Sequence, residues 1–228
     1  MSKEKKPEIK VWEKTYFRIP IKTNKVVMKE DNIFEIVQNS ISWKTQENDI
    51  VFVTEKIVAI TQWRAFLVED IKPRKLAKIL SSFVKKTPAW IGLWMPETME
   101  MAIREVWICR ILFATFCSAV TKPFGKKWAF YKIAWYRASS IDWPTPNTIP
   151  PYNKHVVLWP LNPDKVAKEI SEKIWTKVII TDINDIWWNI LWISDETLDR
   201  KLLVKILKDN PLGQDCEQTP IWIIREVK

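Results

Sequence analysis

Glycine, the residue that most easily takes a left-handed turn, occurs only three times in this 228-residue chain, whereas tryptophan occurs 15 times. A globular chain of this length usually carries about 7% glycine, or roughly 16 residues. Tryptophan and glycine together number 18 here, 15 and 3, close to an ordinary glycine content. The amphipathic patterns EDNIFEIVQNSISW, PETMEMAIREVW and NPDKVAKEISEKIW end at Trp43, Trp107 and Trp175, where a helix commonly closes on a left-handed residue that favours glycine. Gln62-Trp63-Arg64 and Asp142-Trp143-Pro144 occupy turn positions between apolar runs. Two expectations follow. If tryptophan stands at glycine positions, these residues show positive φ or have no room for an indole; if they are core aromatics, they are packed at regular helix or strand spacing.

The formal net charge is +9, which points to anionic partners: nucleotides, phosphorylated cofactors, nucleic acid or a membrane surface. Cys109, Cys117 and Cys216 are odd in number and lack CxxC spacing, so neither a disulfide framework nor a zinc site is expected. The start MSKEKKPEIK is charged with no apolar stretch behind it, unlike a secretory signal, and residues 1–8 are expected to be a mobile basic segment. The most apolar run, VWICRILFATFCSAV, is interrupted by Arg110 and too short to cross a bilayer. A soluble cytoplasmic protein is expected.

IKVWEKTYFRIPI reads as strand material and EDNIFEIVQNSI as a helix with Ile33, Ile36, Val37 and Ile41 on one side. DIVFVTEKIVAI reads as an apolar strand with a polar end, KPRKLAKILSSFVKK and PETMEMAIREV as helices, and CRILFATFCSAVT and AFYKIA as strands. HVVLW and KVIITDIN bracket the helix NPDKVAKEISEKI, for which Asn162 is the expected N-cap and Pro163 the first helical residue. SDETLDRKLLVKILKDN reads as a helix capped by Ser194, and IWIIREV as a closing strand. Strands and helices mix without strict alternation, so the expected class is α+β with a mixed sheet and packed helices, forming one unit of residues 1–228 or two intertwined subdomains.

The chain has one histidine, His155, and no GxxxxGK[ST], GxGxxG or HExxH motif. The remaining candidates are polar loops at strand ends. Asp182 ends the apolar run KVIIT, where a carboxylate can hold a divalent cation against phosphate oxygens, with Asn184 and Asp185 as further oxygen donors; an Asp that merely bonds the next turn is equally compatible. Trp187, Trp188 and Trp192 follow in an expected turn. PLGQDCEQTP offers backbone N–H groups and side-chain donors to phosphates. RASSIDWPTPNTIPPYNKH, with Asp142, Thr145 and Asn147, is a rigid polar loop, either pocket-lining or a plain connection.

With glycine in mind at the tryptophan positions, DIVFVTEKIVAITQWR, LNPDKVAKEISEKIWTKVIITD and PLGQDCEQTPIWIIR resemble, in order, three conserved stretches of the coenzyme F420-0:L-glutamate (γ-glutamyl) ligase family. The resemblance runs over most of the chain and places glycine at Trp63 and Trp175. It implies the γ-glutamyl ligase fold and addition of γ-linked glutamate to a deazaflavin cofactor, with GTP and Mg or Mn. It places a metal ligand at Asp182, nucleotide contacts at Pro20 and Ile21 and across Gly213, Gln214, Gln218 and Thr219, and implies a homodimer. Four positions depart from the family pattern: Arg137 stands at a metal aspartate, Ser140 at an asparagine, Ile60 at a lysine and Ile183 at a threonine. A cation at a metal-ligand position inverts the local electrostatics, and Asp142 substitutes only if its loop is rearranged.

Three function classes are thus expected. The first is a GTP- and metal-dependent γ-glutamyl ligase, with Arg64, Arg137 or Lys132 holding an anionic substrate, a role that suits Arg's bidentate geometry. The second is a divergent relative that binds a small anion or nucleotide without ligase activity. The third, ranked lowest, is a basic nucleic-acid-binding protein, suggested by KPRKLAK and KPFGKKW.

Overall fold

The computed structural model describes residues 6–41, 44–84, 92–121, 140–183, 188–210 and 216–227. The chain divides into two compact units: residues 1–63, 147–149 and 160–228 form the first, and residues 64–146 and 150–159 the second.

The first unit is built on a six-stranded sheet. Alternating apolar residues make a hairpin of β1 (Glu8–Val11) and β2 (Lys14–Ile21). The more continuous apolar runs supply β3 (Ile50–Thr54), β6 (Lys177–Ile183) and β8 (Ile221–Val227), and β7 is Trp188–Ile193. The order is β1-β2-β8-β3-β6-β7, antiparallel except for the parallel pair β3/β6. β3, β6 and β8 read as unbroken apolar runs because they are interior strands. One face packs against α7 (Arg200–Leu207) through Phe52, Ile179, Trp222 and Ile224 against Leu203, Ile206 and Leu207. The unit also contains α1 (Ile33–Ile41), α2 (Glu55–Thr61) and α6 (Pro163–Ile174). Val166 and Ile170 of α6 are buried, contributing roughly 1.5–3 kcal/mol apiece.

The second unit pairs β4 (Ala65–Leu67) with β5 (His155–Val157) and packs them with α3 (Lys75–Ser82), α4 (Pro96–Val106) and α5 (Ile108–Thr121). Ala77, Leu93, Met99, Ala102, Ile111 and Val156 are among its core residues. α+β with a mixed sheet is therefore the observed class. No helix among the described residues is long and apolar enough to cross a membrane.

Several local expectations fail for identifiable reasons. CRILFATFCSAVT is helical rather than extended: its β-branched and aromatic content mimics a strand, but the buried residues Ile111 and Ala114 recur at helical spacing. DIVFVTEKIVAI is β3 followed by α2, not one strand. Asn162 flanks α6 without a side-chain cap, adopting a left-handed conformation (φ 42°, ψ 52°) instead. Ser194 caps no helix; its hydroxyl accepts from the Val178 N–H at 2.8 Å, while Asp199 caps α7 by accepting from Lys201 N–H at 2.8 Å. Trp188 and Trp192 belong to β7, with Trp192 opposite Ile180, so they are not turn residues. Trp43, Trp187 and AFYKIA lie outside the described residues.

The glycine expectation is met at specific places. Trp63, Trp107 and Trp175 have φ of 61°, 69° and 54°, and so does a residue the sequence did not single out, Trp12, at 55°. Trp12 is the first residue of the two-residue β1/β2 turn, and positive φ there but not at Glu13 is the sign pattern of a type II′ turn, which takes glycine at that position. Trp63 follows the end of α2, its N–H bonding Ile60 O at 3.0 Å, and Trp175 closes α6. Trp143 instead packs edge-on against Trp94, their ring centroids 5.6 Å apart.

The buried charges of Arg18 and Glu100 are paired. Arg18 on β2 reaches the C-terminal end of α7, donating to Ile206 O and, from both terminal nitrogens, to the Asp209 carboxylate. A cation suits a helix C-terminus, and Asp209→Asn, which removes the charge but keeps an acceptor, is expected to cost about 1.5–3 kcal/mol in urea unfolding. In the second unit Glu100 of α4 is buried between Arg74 and Arg104, both at 2.8 Å. Burial pushes its carboxyl upward, but the hydrogen bonds from Arg74 and Arg104 outweigh that and hold it below the ordinary value. A lowered folded-state pKa stabilises above the unfolded value and loses that contribution as pH falls through the folded one. The stability difference between the parent and Glu100→Gln should therefore shrink as pH drops below about 4.3, measured by urea titration of both proteins.

Candidate active site at one end of the six-stranded sheet

The strand directions bring the sequence-selected loops of the first unit to a common edge. Ile21, Ile221, Val53, Ile180 and Trp192 form one row of partners across β2, β8, β3, β6 and β7. Beyond that row lie the end of β2, the segment 218–220 leading into β8, and the C-terminal ends of β3 and β6. Pro20 and Ile21, Gln218 and Thr219, and Asp182 therefore share one end of the sheet. The three inter-strand steps from β2 to β6 span roughly 14 Å at about 4.8 Å each. Carboxyl ends of parallel strands are where open α/β sheets place their ligands, and β3/β6 is the parallel pair here.

The connections at this end are tight. Gln218 donates its side-chain amide to Thr23 O at 2.6 Å and accepts from Thr23 N–H at 3.2 Å through its own carbonyl. Its φ is 57°, a left-handed conformation that turns the loop into β8. Thr54 N–H bonds Pro220 O at 3.0 Å, tying the end of β3 to that loop. The Trp222 indole N–H donates to Thr219 O at 2.9 Å, and its ring stacks on Phe52 with centroids 6.1 Å apart. This indole supports the loop from below and has a defined structural role.

Asp182 lies one residue inside the end of β6 rather than at its terminus, opposite Asn189 of β7. Thr181 beside it is fully buried, and its hydroxyl oxygen has no hydrogen-bond partner among the described residues. Thr54 and Thr181 face each other across β3/β6. Sequence reading missed both, although each is the first polar residue after an apolar run. No group of three or more His, Cys, Asp or Glu side chains gathers among the described residues. One carboxylate fits a hard cation such as Mg²⁺ when phosphate oxygens supply most of the ligands; it does not supply the donors for a pair of metals.

Asp142 belongs to the second unit, where its backbone N–H and C=O bond Val157 at 2.9 and 3.0 Å and extend the β4/β5 ribbon. Arg64, in the same unit, pairs with Glu105 at 2.7 Å and donates to Trp159 O. Ile60 is buried in α2, among apolar neighbours of that helix. Gly213, Gln214, Arg137, Lys132, Asn184 and Asp185 lie outside the described residues.

A separate cleft of about 640 Å³ opens in the first unit between the N-terminal ends of α1 and α6 and the C-terminal end of α2. Lys29, Asn32, Gln62, Trp63, Asn162 and Lys165 line it, with the Lys29 ammonium 4.5 Å from the centre of the Trp63 ring. Among the described residues, none of those selected from the sequence as ligand contacts lines this cleft.

The model of the F420-0:Gamma-glutamyl ligase family matches residues 20–190, three quarters of the chain, including Pro20 and Ile21 at the end of β2, all of β3 and β6, and Asp182. No curated protein matches the chain. With that span and the mixed α+β architecture in agreement, the chain belongs to the F420-0:Gamma-glutamyl ligase family.

Proposed function

We propose that this chain is a GTP- and divalent-metal-dependent ligase that joins the amine of glutamate to a carboxylate of a phosphorylated deazaflavin cofactor. The observation that carries this reading is the convergence of Pro20–Ile21, Gln218–Thr219 and Asp182 at one end of the sheet. The γ-phosphoryl group of GTP passes to the acceptor carboxylate, giving an acyl phosphate and GDP. The glutamate amine then attacks the acyl carbon, the C–N bond forms, the C–O bond to phosphate breaks, and the amine proton and inorganic phosphate leave. Such chemistry rests on positioning and charge stabilisation. The 218–220 segment and the end of β2 hold the nucleotide, and Asp182 would hold the cation, which would supply positive charge against the phosphoryl oxygens. The net charge of +9 favours these anionic substrates, and a cytoplasmic homodimer accords with the family resemblance.

The test is GTP turnover with Mn²⁺ or Mg²⁺ in the presence of the deazaflavin acceptor and glutamate. Metal-dependent formation of GDP and of glutamylated product is expected; an absence of metal-dependent nucleotide binding overturns the ligase reading. Buried Ile60, where the resemblance places a lysine, favours a second reading. In it, the fold binds an anionic ligand without ligation, and nucleotide binds tightly with no product under the same conditions.

A further inference from the structure

We propose that the functional polypeptide carries glycine at positions 12, 63, 107 and 175, because UGA codons at these positions are decoded as glycine rather than tryptophan. Eight described residues other than glycine have positive φ: Trp12, Trp63, Trp107 and Trp175, together with Asn48, Asn162, Asn210 and Gln218. Asparagine is the residue with a side chain that best tolerates this region, and a bulky residue there is an outlier. The three asparagines are therefore unremarkable, and the four tryptophans are not.

Position by position, the backbone asks for a residue without Cβ. Trp12 is at the glycine position of a type II′ turn. Trp63 and Trp175 stand at left-handed helix ends. Trp107, at φ 69° and ψ 138° between α4 and α5, borders the region essentially reserved for glycine. None of the four indoles fills the core, their exposures running from 57% to 92%. Trp222 is the internal control: it lies in an ordinary strand, is 6% exposed, donates a hydrogen bond and stacks on Phe52.

A single decoding difference accounts for all four sites and raises the glycine count from three to seven. Tryptophan is specified by UGG, and in some genetic codes also by UGA; reading UGA as glycine converts only the UGA-encoded subset. Four independent mutations would have to fall on four glycine-requiring positions and yield the same bulky residue each time.

The experiment has two readouts on the natural gene and protein. Sequencing the gene is expected to show UGA at 12, 63, 107 and 175 and UGG at 222. Peptide mass spectrometry of the protein purified from its own cells is expected to show glycine at the four positions and tryptophan at 222. Tryptophan in the peptides at any of the four, or UGG at those codons, overturns the proposal. Neither readout depends on folding, activity or the ligase assignment, so failure of one reading leaves the other standing.

Discussion

Replacing Trp12, Trp63, Trp107 and Trp175 together by glycine is expected to raise the unfolding free energy by about 4–8 kcal/mol, taking about 1–2 kcal/mol for each side chain relieved of a left-handed backbone. That increment rivals the whole stability of a typical domain, about 5–15 kcal/mol. The chain with all four indoles present should consequently fold poorly. The sites are separate loops on different elements, so the four contributions should be close to additive. Urea unfolding of the parent, the four single variants and the quadruple variant measures this. Trp222→Gly supplies the opposite sign: it empties a packed position and removes the indole bond to Thr219 O, at about 3–5 kcal/mol of destabilisation. A quadruple variant no more stable than the parent would show that these backbone conformations impose no strain on tryptophan.

Asp182→Asn is expected to lower metal-dependent turnover by about a thousandfold while leaving the fold intact, because the amide keeps the shape but cannot supply the negative charge that holds a divalent cation. Asp182 is only partly buried, near the end of β6, so its loss of charge should leave thermal unfolding within about 0.5 kcal/mol of the parent. The informative measurement is the Mn²⁺ concentration dependence of GTP turnover, run on the glycine-bearing protein so that folding does not limit activity. Unchanged turnover and metal dependence would remove Asp182 from the cation site.

Much of the fold was legible because periodicity reports burial directly. NPDKVAKEISEKI predicted α6, and KVIITDIN and IWIIREV predicted strands, whereas DIVFVTEKIVAI, expected as one strand, divides into β3 and α2. CRILFATFCSAVT misled because its residues suit strands, while its fate was decided by packing in the second unit. Local polar chemistry misled at Ser194, whose hydroxyl serves the β6 backbone rather than a helix end. The candidate site was legible as separate pieces. Pro20, Asp182 and Gln218 are each unremarkable alone, since a strand-end proline, aspartate or glutamine has common structural uses.

The sequence by itself determined the element types with strong periodicity, the positive charge, the family resemblance and the suspicion that tryptophan stands where glycine belongs. These are local properties, carried by side-chain order along the chain. Tertiary structure alone decided which strand ends share an edge, since that depends on the order β2-β8-β3-β6 and on one parallel pair among antiparallel ones. It also separated the indoles at left-handed backbone from Trp222 in the core, because φ and burial are set by the folded chain around each residue.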